Sequence, residues 1–172
     1  MNFEEYRQGG LEVTDLDALD VRILNILQDN ARITTLELAE QVGLSPTPCA
    51  RRVKRLEDDG LIQRYVTLLD EKKAGLDLSV FISVRLRAQT AETMEKFERS
   101  VRSIPEISEC YLVSGVHDYL LHLRVADVDA LREFLRNRLV TIEGIAEAQS
   151  SIVLDKVKYT TALTLSEAGG RR

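Results

Sequence analysis

Between Ser45 and Gly60 the chain reads SPTPCARRVKRLEDDG, and Arg51, Arg52, Lys54 and Arg55 fall inside it with no acid among them. Cations grouped this tightly suit phosphate oxygens, and arginine can also donate in pairs to the O6 and N7 edge of guanine. Cys49, Val53 and Leu56 recur at helical spacing, which predicts a helix over about 45–59 with those three side chains facing inward. Thr47, Pro48, Arg51, Arg52 and Arg55 then point outward. With Ser45 as N-cap, Pro46 is the first helical residue and Pro48 the third, where the missing N–H groups cost no internal hydrogen bond. On a DNA duplex, Arg51 and Arg52 suit guanine, and Thr47 and Pro48 suit a thymine methyl. Ser45, Lys54 and Arg55 suit phosphates, with Thr34 and Pro46 completing the candidate DNA-binding set.

A basic stripe alone is also what a solvated amphipathic helix carries. The elements in front of it favour DNA. Leu19, Ile23, Ile26 and Leu27 mark one face of a first helix over about 17–28, capped by Asp15 or Asp17. Thr34-Thr35-Leu36-Glu37 is a capping box that opens a second helix, with Leu38, Ala39 and Val42 inward and a stop at Gly43. Two helices joined by a glycine turn form a helix-turn-helix pattern over 35–54. Leu61 to Leu69 then reads as a strand or a two-stranded wing. The net charge of −5 opposes nucleic acid only when taken globally, because the basic face is concentrated on an otherwise acidic chain.

Composition narrows the function classes further. A chain of 172 residues with 44% hydrophobic content can bury one good core or two small ones. Its apolar runs fall far short of the ~20 residues of a membrane helix, and MNFEEYRQGG lacks the apolar core of a signal peptide. Cys49 and Cys110 stand far apart with no CxxC and no histidine pair, so neither a metal site nor a disulfide framework is expected. Cys49 on a core face is a small apolar filler. A reduced cytoplasmic protein is the expectation.

After residues 70–78 (DEKKAGLDL), which read as a hinge, the period changes. Val80, Ile82, Val84 and Leu86 alternate as a strand, and Met94, Phe97, Val101 and Ile104 follow at helical spacing behind a Thr90 cap. Ile107–Ser114 and Asp118–Val125 are two more strands. Val128, Leu131, Leu135, Leu139 and Ile142 mark a helix, and Ile145 to about Leu163 a long last strand or strand pair. The order βαββαβ is the ferredoxin-like split unit. Its helices cover one sheet face, leaving Phe81 and Leu120 with Ser83, Arg85, His122 and Arg124 on the other. That face predicts a homodimer packed sheet on sheet.

VGLSPTPCARRVKRLEDDGLIQRYVTLLD, with CYLVSGVHDYLL downstream, closely resembles the Lrp/AsnC family, the bacterial and archaeal feast/famine regulators, and the likeness runs from about Leu16 to Leu163. The resemblance implies an α+β chain: an N-terminal winged helix-turn-helix domain over 15–69 behind an arm at 1–14. The hinge at 70–78, a ferredoxin-like βαββαβ (RAM/ACT-like) domain over 79–163 and a flexible tail at 164–172 follow. It implies dimers through the sheet that assemble into tetramers or octamers, and control of amino-acid metabolism genes in the cytoplasm, at the nucleoid.

The resemblance also implies an amino-acid effector, with no other cofactor and no metal. By position, its pocket takes Ser114, Gly115, Val116, His117, Asp118 and Tyr119, with Thr141, Gly144 and Gln149 from the segment before and into the last strand. Many members have an acid and then an aromatic where this chain has Val116 and His117, which leaves Asp118 to meet a ligand ammonium. Gly115 is also simply a turn glycine, Asp118 a turn cap and Tyr119 a core residue. Two other classes remain: an architectural DNA-bending protein with no effector, and an enzyme or sensor on the βαββαβ domain. No phosphate loop, nucleophile–base set or ligand spacing supports the last. With four cations per subunit on phosphate, a dimer's affinity would fall roughly 10³- to 10⁵-fold between about 50 and 200 mM salt.

Overall fold

The computed structural model describes residues 15–166. The expected arm at 1–14 and the end of the tail, with Arg171 and Arg172, lie outside the described residues. The chain forms two compact units. One holds the residues up to Thr67 together with the segment from Tyr159, and the other holds Leu68–Lys158.

The first unit is a three-helix bundle of α1 (Ala18–Asp29), α2 (Thr35–Val42) and α3 (Pro46–Asp58). Asp17 caps α1, accepting from the Asp20 amide at 2.8 Å while the Asp20 carboxylate accepts from the Asp17 amide at 3.3 Å. Thr34 and Glu37 repeat the reciprocal arrangement at α2, and Gly43 ends that helix with a left-handed φ of 75°. Ile23, Leu24, Leu38, Ala39, Val42, Cys49 and Leu56 form the core, so Leu24 rather than Leu19 is the buried leucine of α1.

The expected wing over 61–69 carries no strand. It opens on a bend at Leu61 and Ile62, and further along the Tyr65 hydroxyl donates to Glu57 at 2.8 Å. The last expected strand is also shorter. It ends at Ile152, and Leu163 is held against α1, its amide donating to Gln28 Oε1 at 2.6 Å and its carbonyl accepting from Gln28 Nε2 at 3.2 Å.

The second unit follows β1 (Leu78–Leu86), α4 (Ala91–Arg102), β2 (Ile107–Leu112), β3 (Tyr119–Val125), α5 (Val128–Asn137), a 3₁₀ turn (Leu139–Thr141) and β4 (Ile145–Ile152). The antiparallel sheet runs β2-β3-β1-β4. Val80, Ile82, Val84 and Leu86 pack with Leu121, Leu123, Phe97, Val101, Leu131 and Phe134. Leu139 and Ile142, expected to continue α5, fall on and after the 3₁₀ turn, and both stay buried. On the other sheet face Phe81 lies opposite His122 with ring centroids 4.5 Å apart, and Ser79 Oγ sits 2.7 Å from His122 Nε2.

The segment expected as a hinge lies within this unit. Glu71 accepts from Arg124 Nε at 2.7 Å and from Lys156 Nζ at 2.9 Å. The Lys156 hydrogen bond, seconded by Arg124, holds the Glu71 carboxyl below the usual glutamate range. A carboxyl depressed in the folded state stabilises it above the unfolded value and stops doing so as pH falls through the folded one. Glu71→Gln should therefore be less stable than the wild type at neutral pH, and the two melting temperatures should converge in scans taken below about pH 4. Gly144 tests the loop before β4, since its φ is 91° and an added Cβ would stand 2.9 Å from Thr93 Cγ2. Gly144→Ala should cost about 1–3 kcal/mol in denaturant unfolding.

Candidate nucleic-acid interface and effector cavity

Helix α3 presents its cations unequally. Arg51 and Lys54 are exposed, with Lys54 only loosely near Asp58 at 3.9 Å. Thr47 is exposed and Pro48 half-buried, and Ser45 makes no capping hydrogen bond, so its hydroxyl is left for another partner. Cys49 is fully buried and its thiol pushed up by desolvation, as a filler should be. Thr34 differs: its hydroxyl donates to Glu37 Oε2 at 2.7 Å and accepts from the Glu37 amide at 3.2 Å, so the α2 cap already occupies it.

Arg52 requires a correction, and Arg55, which is exposed as expected with 45% of its side chain open, is nevertheless paired within the subunit. Rather than facing outward free, Arg52 places Nη1 2.6 Å from Asp17 Oδ2 and 2.8 Å from Asp20 Oδ1. Arg55 Nη2 bonds the other oxygen of the same Asp20. Asp20 is only 1% exposed, so its charge is compensated inside the protein. The Asp20 amide and then the Arg52 guanidinium hold Asp17 below its ordinary value, and the hydrogen bond to Asp17 raises Arg52. No pattern within 45–59 reveals these contacts, because the acids lie 32 and 35 residues earlier. Asp17, expected only as a helix cap, and Asp20 are the partners of this basic helix that the sequence did not reveal. Their only signal there is the pairing of two acids three apart at the start of α1.

In the second unit a cavity of about 540 Å³ opens between the 3₁₀ turn and the start of β4. Thr141 and Gly144 line it, as do Arg87, Leu139, Ile142, Glu143, Ile145 and Ala148. The β1–β4 ladder brings Arg87 there. Its amide donates to the Gly144 carbonyl at 2.8 Å, and its Nε to the Ile145 carbonyl at 3.1 Å. A guanidinium, an exposed carboxylate and an apolar lining match the three parts of a zwitterionic amino acid.

The other expected effector residues do not line this cavity. Ser114, Gly115 and Val116 form an exposed turn, with Val116 82% exposed. His117 is half-buried, and Gln149 is exposed on β4, opposite Ser83. The Asp118 carboxylate is not open to an ammonium: it accepts from the Leu86 amide at 2.7 Å and from Gln89 Nε2 at 2.6 Å. Tyr119 is core, stacked at a tilt on Phe97, and its hydroxyl donates to Glu98 at 2.9 Å. Among the described residues no group of three or more potential ligands can hold a metal. No helix there is long and apolar enough to cross a membrane.

A three-helix DNA-reading unit joined to a βαββαβ unit with a ligand-sized cavity defines a ligand-responsive transcription regulator. The winged helix-turn-helix DNA-binding profile matches residues 16–63, and the Lrp/AsnC ligand binding domain matches 79–163. The chain belongs to the Lrp/AsnC family of transcription regulators. It is 42% identical over 151 residues to the leucine-responsive regulatory protein of Escherichia coli K12, spanning 88% of this chain and 92% of that one.

Solved structures agree. A transcriptional regulator of Neisseria meningitidis, in complex with L-Met, is 42% identical, with a TM-score of 0.84 over 87% of this chain and 96% of that one. An AsnC-family regulator of Agrobacterium tumefaciens is 40% identical, with a TM-score of 0.83 over 87% and 97%. AsnC of Escherichia coli is 30% identical, with a TM-score of 0.79 over 86% and 97%.

The unequal burial of the two neighbouring arginines sets a direct test. Arg52→Ala strips a partner from a buried carboxylate and should cost about 1–3 kcal/mol in chemical denaturation. Arg51→Ala should stay within about 0.5 kcal/mol of the wild type.

Proposed function

We propose that the protein is a dimeric, sequence-specific regulator of amino-acid metabolism genes, acting in the cytoplasm, and that an amino acid bound in the second unit alters its DNA binding. The observation that carries the DNA half is the exposed edge of α3, where Arg51 and Lys54 stand beside Thr47 and the uncapped Ser45. Arg51 takes the base edge, Lys54 and Ser45 take phosphates, and Pro46, Thr47 and Pro48 form the helix end that enters the groove. Arg52 and Arg55 are left out, because Asp17 and Asp20 hold them. The regulatory role, rather than a catalytic one, is supported by family membership.

The effector half rests on the cavity. Arg87 suits the carboxylate, Glu143 the ammonium, and Leu139, Ile142 and Ile145 the side chain. The L-Met complex of the Neisseria relative supports an amino acid as the class of ligand. Dimerisation is assigned to the sheet face of Phe81, Ser83 and Leu120, and further assembly to tetramers or octamers is the family's expectation carried over. The commitment of Asp118 to Leu86 and Gln89 favours a second reading, an architectural DNA-binding protein without an effector.

Gel-shift titration of an operator should show affinity falling about tenfold between about 50 and 200 mM salt, less than four free cations per subunit would give. Arg51→Ala should lose about 1–3 kcal/mol of discrimination between operator and mutated operator, whereas Lys54→Ala should weaken both alike. Calorimetry with the twenty amino acids at millimolar concentration should detect a ligand whose heat disappears in Arg87→Ala. Silence with all twenty would leave the architectural reading in place.

A further inference from the structure

The ion pairs between α1 and α3 do more than join two helices. Asp20 lies 1% exposed between Arg52 and Arg55, and Asp17 adds a second carboxylate on Arg52. A carboxylate and a phosphate compete for the same guanidinium donors in the same geometry. The acids therefore occupy, within one subunit, the partners that DNA phosphates would otherwise take. Resting on the reading of α3 as the DNA-binding helix, we infer that Asp20 is a specificity-determining positioning residue. It withholds two arginines from sequence-independent phosphate binding and fixes α3 so that Arg51 alone among the arginines meets the groove.

The consequence is a ratio. Phosphate contacts strengthen binding to every sequence and add to the salt dependence, while base contacts strengthen binding to one. Holding Arg52 and Arg55 back lowers non-specific affinity without touching the base-reading edge, which widens the gap between operator and bulk DNA. Asp20 serves this better than an exposed acid would. Both of its oxygens are engaged, one by each arginine, and the first also shares Arg52 with Asp17. The same carboxylate accepts from the Asp17 amide, which ties it to the first turn of α1.

The test uses the full-length protein with an operator duplex and an unrelated duplex of equal length, titrated over a range of salt. Asp20→Asn keeps the side-chain shape and frees Arg55 while Asp17 still holds Arg52. The unrelated duplex should bind about tenfold tighter in about 0.1 M salt, and the log–log salt slope should steepen by about 1 per subunit. Asp17→Asn with Asp20→Asn should steepen it by about 2 per subunit, and the operator-to-unrelated ratio should fall in step.

A loss of both affinities with an unchanged or shallower slope means that Asp20 only holds the fold together, and overturns the inference. Because Asp20→Asn also lowers stability, Arg55→Gln gives an independent reading. It leaves Asp20 paired with Arg52 and should keep the wild-type slope and an affinity within about twofold. A slope shallower by about 1 per subunit would mean that Arg55 already engages phosphate, which also overturns the inference. A wild-type protein with no salt-dependent duplex binding sinks the reading of α3 itself, a failure told apart from the others because it precedes any substitution.

Discussion

A carboxylate buried at the first turn of α1 decides what the neighbouring helix can do. Asp20 is only 1% exposed, where an unpaired charge would be costly, and two guanidinium groups from α3 satisfy it. Arg52 Nη1 and Arg55 Nη2, one turn apart on α3, each reach one oxygen of this carboxylate and so tie α3 to the first turn of α1. Cys49, Val53 and Leu56 hold the helix from the apolar side. The result is a helix with one edge bound to its own subunit and one edge free, and the free edge carries Arg51, Lys54 and Thr47.

The second unit is arranged around a comparable division of labour. Alternation along β1 sends Val80, Ile82 and Val84 to the helices and Ser79, Phe81 and Ser83 to the other face. His122 stacks on Phe81 and contacts Ser79, and Arg124 reaches Glu71. At the far edge, the irregular register between Arg85 and Leu86 lets Arg87 follow the backbone of Gly144 and Ile145. That irregularity turns the end of a strand into the wall of a cavity.

Asp118 and Asp20 illustrate one physical point about acids in this chain. Asp118 looks in the sequence like a charge available to a ligand, Asp20 carries no such signal there, and each is consumed by the protein. Asp118 satisfies the Leu86 amide and the Gln89 side chain, so its carboxylate is taken up by an internal contact. A carboxylate close to the core finds its donors there before any ligand arrives, since leaving those donors unmet would itself be destabilising.

By itself the sequence determined the positions of the helices, the βαββαβ order, most of the buried faces and the family. Those features depend on local periodicity, on caps such as Thr34 with Glu37, and on a motif that needs no distant contact to be recognised. Tertiary structure alone decided which cations are free and which residues line the cavity. Arg51 and Arg52 are adjacent and chemically alike. What separates them is Asp17 and Asp20, more than thirty positions away and brought close by the bundle. Arg87 and Gly144 meet only because β1 and β4 pair edge to edge. Even the end of β4 and the return of Leu163 to Gln28 depend on where hydrogen-bond partners run out, which alternation along a strand does not encode.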